Sequence, residues 1–234
     1  MRPFLLLGFA AVAVLRGEPV RLESGSAQTN LIELYTSEGC SSCPPAERWL
    51  GGLREAPGLW RDFVPVAFHV DYWNRLGWPD RFSTTEFTRR QYAYAAAWDH
   101  GSVYTPCFAR NGAEWPGDRS LVPSGGEAGR LTADYDGRTL RARFLPAHPR
   151  PGDTFEIHAV ILGSGIVSRV TAGENQGETL HHEFIALSLV QAALGNDLEL
   201  PIPKISGVPR HALAVWVTRR GALAVLQATG GWLD

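Results

Sequence analysis

A chain of 234 residues with 24 acidic and 22 basic side chains carries almost no net charge, and it has no long basic run to attract a nucleic acid. Its 44% apolar share is that of a folded protein and excludes a largely disordered one. The length admits one large domain or two smaller ones.

Arg2 precedes an apolar stretch from Phe4 to Leu15, and polar sequence resumes at Arg16. A positive start followed by a short apolar run reads as a secretory signal peptide, against the alternative of a buried N-terminal helix. The run is too short to span a bilayer comfortably, so no membrane span is expected in the mature chain. Small residues at Gly25-Ser26-Ala27 set the expected cut after Ala27, making residues 1–27 the signal peptide. A periplasmic or secreted protein follows, with its three cysteines in an oxidising compartment. Their odd number means that not all can pair within one chain.

Leu31 to Tyr35 is a short apolar run of strand formers, and Thr36 to Gly39 turn it toward Cys40. Behind Cys43, the residues Ala46, Trp49, Leu50 and Leu53 recur at helical spacing. Pro44 and Pro45 suit the first turn of that helix, and Pro57-Gly58 ends it. Val64 to Val70 reads as a second strand, followed by a loop rich in Trp and Gly from Asp71 to Phe82. Ser83-Thr84-Thr85-Glu86 has the capping-box pattern, ahead of a helical face made by Phe87, Gln91, Tyr94, Ala95 and Trp98. Tyr104-Thr105-Pro106 is an extended segment, and Asn111-Gly112 is a tight-turn signal after Phe108 to Arg110. From about Ser124 the period changes to two. Leu140, Ala142 and Phe144 alternate with arginines, Phe155, Ile157, Ala159 and Ile161 recur on alternate positions, and Leu213–Val217 and Ala222–Gln227 form a hairpin. The expectation is an α/β fold: a thioredoxin-like domain over residues 28–123, then a β-rich C-terminal domain over residues 124–234.

Strand, turn, Cys-x-x-Cys and helix make the arrangement of a dithiol redox site. Cys40, ahead of the helix, is expected to be exposed, with its thiolate favoured by the positive helix end. Cys43, one turn on, is placed to displace a mixed disulfide. Thioredoxin-like domains set a cis-proline opposite such a pair, and Thr105-Pro106 falls where that loop belongs, which makes Thr105 and Pro106 candidate substrate-binding residues. Glu33, within an apolar strand aimed at the site, is either a proton relay for Cys43 or a carboxylate paired with a basic neighbour. Trp73, with Tyr72 and Trp78, either docks substrate or covers the core edge. Cys107 is either a third participant or a small packed thiol. His69 and Asp71 end the second strand, where α/β sheets place ligands; satisfied packing is the alternative for His69. Glu38 reads as a solvated turn residue, and His181-His182 with Glu183 as surface.

The run Glu33 to Glu47, the run His69 to Asp80, Ser102 to Pro106 and Ala172 to Gly177 resemble the bacterial family of domain of unknown function 1223. The resemblance implies an exported protein with a thioredoxin-like fold and a β-rich C-terminal part, and no established reaction. Two features depart from the family pattern: Cys107, where members carry a polar residue, and a shortened helix around Ser120 to Gly129. The leading functional expectation is a thiol–disulfide oxidoreductase acting on a protein or small-molecule thiol or disulfide, without a cofactor. A second is copper binding or delivery by Cys40, Cys43 and His69, with or without Cys107. A third is a non-catalytic binding module with a structural disulfide.

Overall fold

The computed structural model describes residues 19–117, 119–121 and 125–233. The apolar run of the expected signal peptide lies outside the described residues. The first strands are β1 (Val20–Glu23), β2 (Asn30–Thr36), β3 (Phe63–His69), β4 (Cys107–Arg110) and β5 (Ala113–Glu114). Next come β6 (Gly129–Tyr135), β7 (Thr139–Pro146), β8 (Phe155–Ser164), β9 (Ile166–Arg169) and β10 (Thr179–His182). The last are β11 (Ile185–Ala186), β12 (Val190–Ala193), β13 (Leu198–Glu199), β14 (Arg210–Arg219) and β15 (Val225–Trp232). Two α-helices stand among the described residues, α1 (Pro44–Gly52) and α2 (Thr85–Ala97).

A nine-stranded mixed sheet runs in the order β15-β14-β8-β11-β3-β2-β4-β5, with β12 also paired to β8. Strands β2 and β3 are parallel and joined through α1, whereas β4 runs antiparallel to β2. Every residue of β2 and of β3 is buried, as their near-continuous apolar sequence requires of strands covered on both faces. A four-stranded antiparallel sheet, β1-β6-β7-β13, packs separately. Its inward Leu131, Ala133, Tyr135, Leu140, Ala142 and Phe144 meet Ile157, Ala159, Ile161, Leu213, Val215 and Val217 of the large sheet. The other face of β8 and β14, with Val160, Leu162, Ala212, Ala214 and Trp216, joins the core around β2 and β3.

The expected α/β thioredoxin-like fold followed by a β-rich part is therefore corrected. Strand makes up 41% and helix 13% of the described residues, and the protein is mostly β. The physical reason lies in β8 and β14. Their alternate residues are apolar on both faces, so they cannot sit at the surface of a second unit. They extend the sheet that β2 and β3 begin, with β11 parallel to β3 and antiparallel to β8. Local signals fared better. The α2 cap is Thr84, one residue after the expected Ser83, and its hydroxyl accepts from the Phe87 amide at 3.2 Å. Asn111 and Gly112 both take positive φ in the β4–β5 turn, and a Cβ on Gly112 would meet the Leu223 carbonyl oxygen at 2.5 Å. Within the span read as signal peptide, β1 pairs with β6 from Val20↔Tyr135 to Glu23↔Thr132; a cut after Ala27 would remove it.

Trp216 is fully buried, stacked on His158 at 5.2 Å, with the Arg90 guanidinium 5.0 Å from its ring. Trp216→Ala is expected to cost about 3–5 kcal/mol. Because one sheet carries strands from both halves, urea unfolding followed by circular dichroism and by tryptophan fluorescence should show one coincident transition, moved as a whole by the substitution. Two separable transitions would refute the shared sheet.

Candidate functional site

Beyond the end of β2 the chain turns back on itself through Ser37 to Ser42. The Cys40 amide donates to the Ser37 carbonyl at 3.1 Å, and the Cys43 amide to that of Cys40 at 3.2 Å. Cys43 is the N-cap of α1, with Pro44 and Pro45 in the first turn, where absent N–H groups cost nothing. Cys40 and Cys43 form a disulfide with their Cα atoms 5.4 Å apart. Ser41 and Ser42 are exposed, but both cysteines are fully buried. The expected exposure of Cys40 is thus absent. What covers the turn comes from the loop between β9 and β10. Asn175 Nδ2 donates to the carbonyls of Glu38 (2.8 Å) and Cys40 (3.0 Å), and Glu174 Oε2 accepts from the Ser41 amide (3.1 Å) and hydroxyl (2.7 Å).

Trp73 stands beside this turn and is tied to Thr105. Trp73 Nε1 donates to Thr105 Oγ1 at 2.8 Å, and a Cβ on Gly39 would lie 3.1 Å from Trp73 Cβ. The Thr105–Pro106 peptide is cis. On the outer side of Trp73 an open cavity of about 550 Å³ is lined by Tyr72, Arg75, Tyr92 and Val103 among others.

Glu33 and Cys43 are not brought together. Along β2 the side chains alternate: Glu33 and Tyr35 face α2, whereas Thr36 reaches Glu47 on α1 at 2.6 Å. Glu33 is fully buried. It accepts from Arg90 Nε at 2.7 Å and from the Tyr94 hydroxyl at 2.5 Å, so it is a paired carboxylate on the face away from α1. Cys107 pairs with Tyr35 and shares the α2 face, beside Gln91, Ala95 and Trp98. It is a buried free thiol, and burial pushes its pKa up to about 11. Asp71 accepts from the hydroxyls of Thr85 (2.7 Å) and Thr88 (2.6 Å) and fixes the start of α2. Of the copper set, Cys40 and Cys43 are joined as a disulfide and His69 lies on the same α1 side, whereas the optional Cys107 lies on the α2 side.

On the α1 face lies a cluster that the sequence did not announce. His69 Nδ1 is 2.7 Å from Asp80 Oδ2. His182 Nδ1 is 2.5 Å from Glu47 Oε2, and its Nε2 is 3.2 Å from Glu38 Oε1. The two imidazole centroids are 5.3 Å apart, and all five residues are buried. Glu38 and His182, read from sequence as solvated, are corrected here. In β10 the buried positions alternate, so His182 shares its inward phase with Leu180; that period-two pattern was the available signal. Glu47 lies one turn beyond Cys43 on the inner face of α1, in step with Ala46 and Leu50. Glu47, His69 and His182 can each place a ligand atom within 4.8 Å of those of the other two, which makes them the candidate metal-binding set.

Burial opposes a charge on His182, but the carboxylates of Glu38 and Glu47 outweigh it and hold the pKa up at about 10. Burial likewise opposes a charge on His69, and Asp80 overrides it upward. Burial would raise Glu38, Glu47 and Asp80, yet the imidazoles hold all three below their ordinary values.

Fold and site together define a mostly β protein with a buried Cys-x-x-Cys disulfide at a helix start, above a buried imidazole–carboxylate cluster. The chain belongs to the family described as protein of unknown function (DUF1223), whose profile matches residues 31–218. Two solved structures resemble it in fold. One is the crystal structure of protein AGR_C_4864 from Agrobacterium tumefaciens, at 22% identity and a TM-score of 0.65, covering 88% of this chain and 95% of that one. The other is HBP35 of Porphyromonas gingivalis, at 11% identity and a TM-score of 0.59, covering 90% of this chain and 77% of that one. No curated protein matches the chain.

The cluster sets a pH dependence. His182 has a folded pKa of about 10 against an ordinary 6.5, so its contribution is complete below pH 6.5 and is lost as pH rises toward 10. The depressed carboxylates contribute above their ordinary values and lose that contribution as pH falls through the folded ones. The urea midpoint of chelator-treated protein should therefore decline from pH 6.5 to 10. His182→Gln should lower stability by about 3–5 kcal/mol, as removing one member of a buried ion pair does, and flatten that alkaline decline. An unchanged slope would refute the assignment to His182.

Proposed function

We propose that the protein is a thiol–disulfide oxidoreductase whose dithiol is gated by the β9–β10 loop. What supports this reading is the Cys40–Cys43 pair at the start of α1, with Trp73 close against Gly39 and hydrogen-bonded to Thr105, the residue before the cis-proline Pro106. In the reduced form, the N-terminal end of α1 favours a thiolate at Cys40. That thiolate attacks one sulfur of a substrate disulfide, forms a mixed disulfide and releases the other substrate sulfur as a thiolate. The Cys43 thiolate then attacks Cys40 Sγ, the Cys40–Cys43 bond forms, and the second substrate thiolate leaves. Two electrons pass to the substrate, and the reverse sequence oxidises a dithiol. The substrate is a protein or small-molecule disulfide that lies along Thr105 and Trp73. No cofactor takes part, and Glu33 is left out because it faces α2. An exported location, periplasmic or secreted, accords with a disulfide that persists in an oxidising compartment.

The full burial of both cysteines favours a second reading, a structural disulfide that pins the β2–α1 turn. One experiment separates the two. In the gated reading, dithiothreitol reduces the native disulfide through opening of the Glu174–Asn175 cover. Asn175→Ala removes two hydrogen bonds, each worth about 0.5–1.5 kcal/mol, and should speed reduction by roughly 5- to 140-fold. Wild-type turnover of a peptide disulfide should disappear in Cys40→Ser. Reduction only at denaturing urea, with no response to Asn175→Ala, would leave the structural reading in place.

A further inference from the structure

We propose that Glu47, His69 and His182 form a binding site for one divalent transition-metal ion, zinc foremost, built on the α1 face without the cysteines. This inference does not depend on the redox reading, since its ligands are an imidazole–carboxylate set. Three observations carry it. The three residues come from separate elements, α1, β3 and β10, and their ligand atoms can lie within 4.8 Å of one another. His69 is fully buried with Nδ1 held by Asp80, while its Nε2 finds no hydrogen-bond partner among the described residues. An imidazole oriented by a carboxylate on one nitrogen and unengaged on the other is the usual form of a metal-ligating histidine.

Charge supplies the third observation. Three carboxylates, Glu38, Glu47 and Asp80, surround two imidazoles in the interior. With both imidazoles neutral the group would hold three negative charges, which the interior does not tolerate uncompensated. A divalent cation reduces them to one, as two protons do. Two imidazoles and a carboxylate suit zinc and its neighbours, whereas calcium and magnesium prefer all-oxygen sets. Glu38 Oε1 lies 3.2 Å from His182 Nε2, the ring nitrogen opposite the one that meets Glu47, so Glu38 orients this ring as Asp80 orients that of His69. Ligand atoms around a tetrahedral zinc stand roughly 3.3 Å apart, so on binding the widest pair draws in and the Glu47–His182 pair, 2.5 Å apart without the ion, opens. A cavity of about 140 Å³ on the outer side of α1 is lined by Pro44, Glu47, Arg48, Thr179, Leu180 and His181, so of the three ligands Glu47 is the one that borders it.

The test uses the full chain stripped with chelator and titrated with zinc against a chromophoric chelator. One equivalent should bind. His69→Ala and His182→Ala should each abolish the stoichiometric uptake, Asp80→Asn should weaken it by about 10- to 100-fold, and Cys40→Ser/Cys43→Ser should leave it unchanged. Because the histidine variants remove buried groups, cobalt(II) added to the wild type gives an independent reading. Visible d–d bands without a thiolate charge-transfer band are expected. Absence of zinc and cobalt binding, uptake that survives both folded histidine variants, or a thiolate band would each overturn the site.

Discussion

The ends of β2 and β3 take five ionisable side chains out of water, and that desolvation is the constraint around which the rest is arranged. An ion moved into the interior costs several kcal/mol unless a partner answers it. Here the answer must come from across the fold. Glu38 belongs to the turn before Cys40, Glu47 to α1, His69 to β3, Asp80 to the tryptophan-rich loop, and His182 to β10. The dithiol turn and α1 cannot hold their carboxylates inside unless β10 delivers His182. The second half of the chain is therefore part of the site, not an appendage to it.

The sheet makes the same demand through apolar surface. Strands β8 and β14 present Ile157, Ala159 and Val215 to one core and Val160, Leu162 and Ala214 to the other. A strand with two apolar faces belongs in the middle of a structure. With β11 seated between β8 and β3, the parallel β2–α1–β3 unit becomes one end of a larger β architecture. The hairpin β9–β10, carried out from β8, then brings Asn175 onto the Cys40 carbonyl, Glu174 onto Ser41, and His182 between Glu38 and Glu47.

What the sequence made legible is what short-range physics determines. The helix after Cys43, the turn at Asn111-Gly112, the alternating arginines of β7 and the β14–β15 hairpin depend on residues close in the chain. The dithiol and the Thr105–Pro106 segment were legible as motifs, and Trp73 joins them through its hydrogen bond to Thr105. Other features needed long-range pairing. Glu33 offered two readings, and only the register of β2 against α2 puts Arg90 on it. Glu38 and His182 read as solvated because nothing local neutralises them; their partners lie across the fold from one another. The separate β-rich unit failed for a related reason, since period two marks a strand but does not say which sheet receives it.

Burial itself has two meanings here. Cys107 is 2% exposed and Cys40 is 0% exposed, yet the covers differ in kind. Cys107 is paired within β4 against Tyr35 and packed beneath α2, so reaching it means separating sheet from helix. Cys40 is covered by a loop held through hydrogen bonds from Asn175 and to Glu174, two residues outside any strand. Moving that loop breaks a few polar contacts, each worth about 0.5–1.5 kcal/mol, and leaves both cores intact. Openings of that size belong to local fluctuation and not to global unfolding. A buried dithiol under such a cover is compatible with exchange chemistry, whereas the thiol of Cys107 is not.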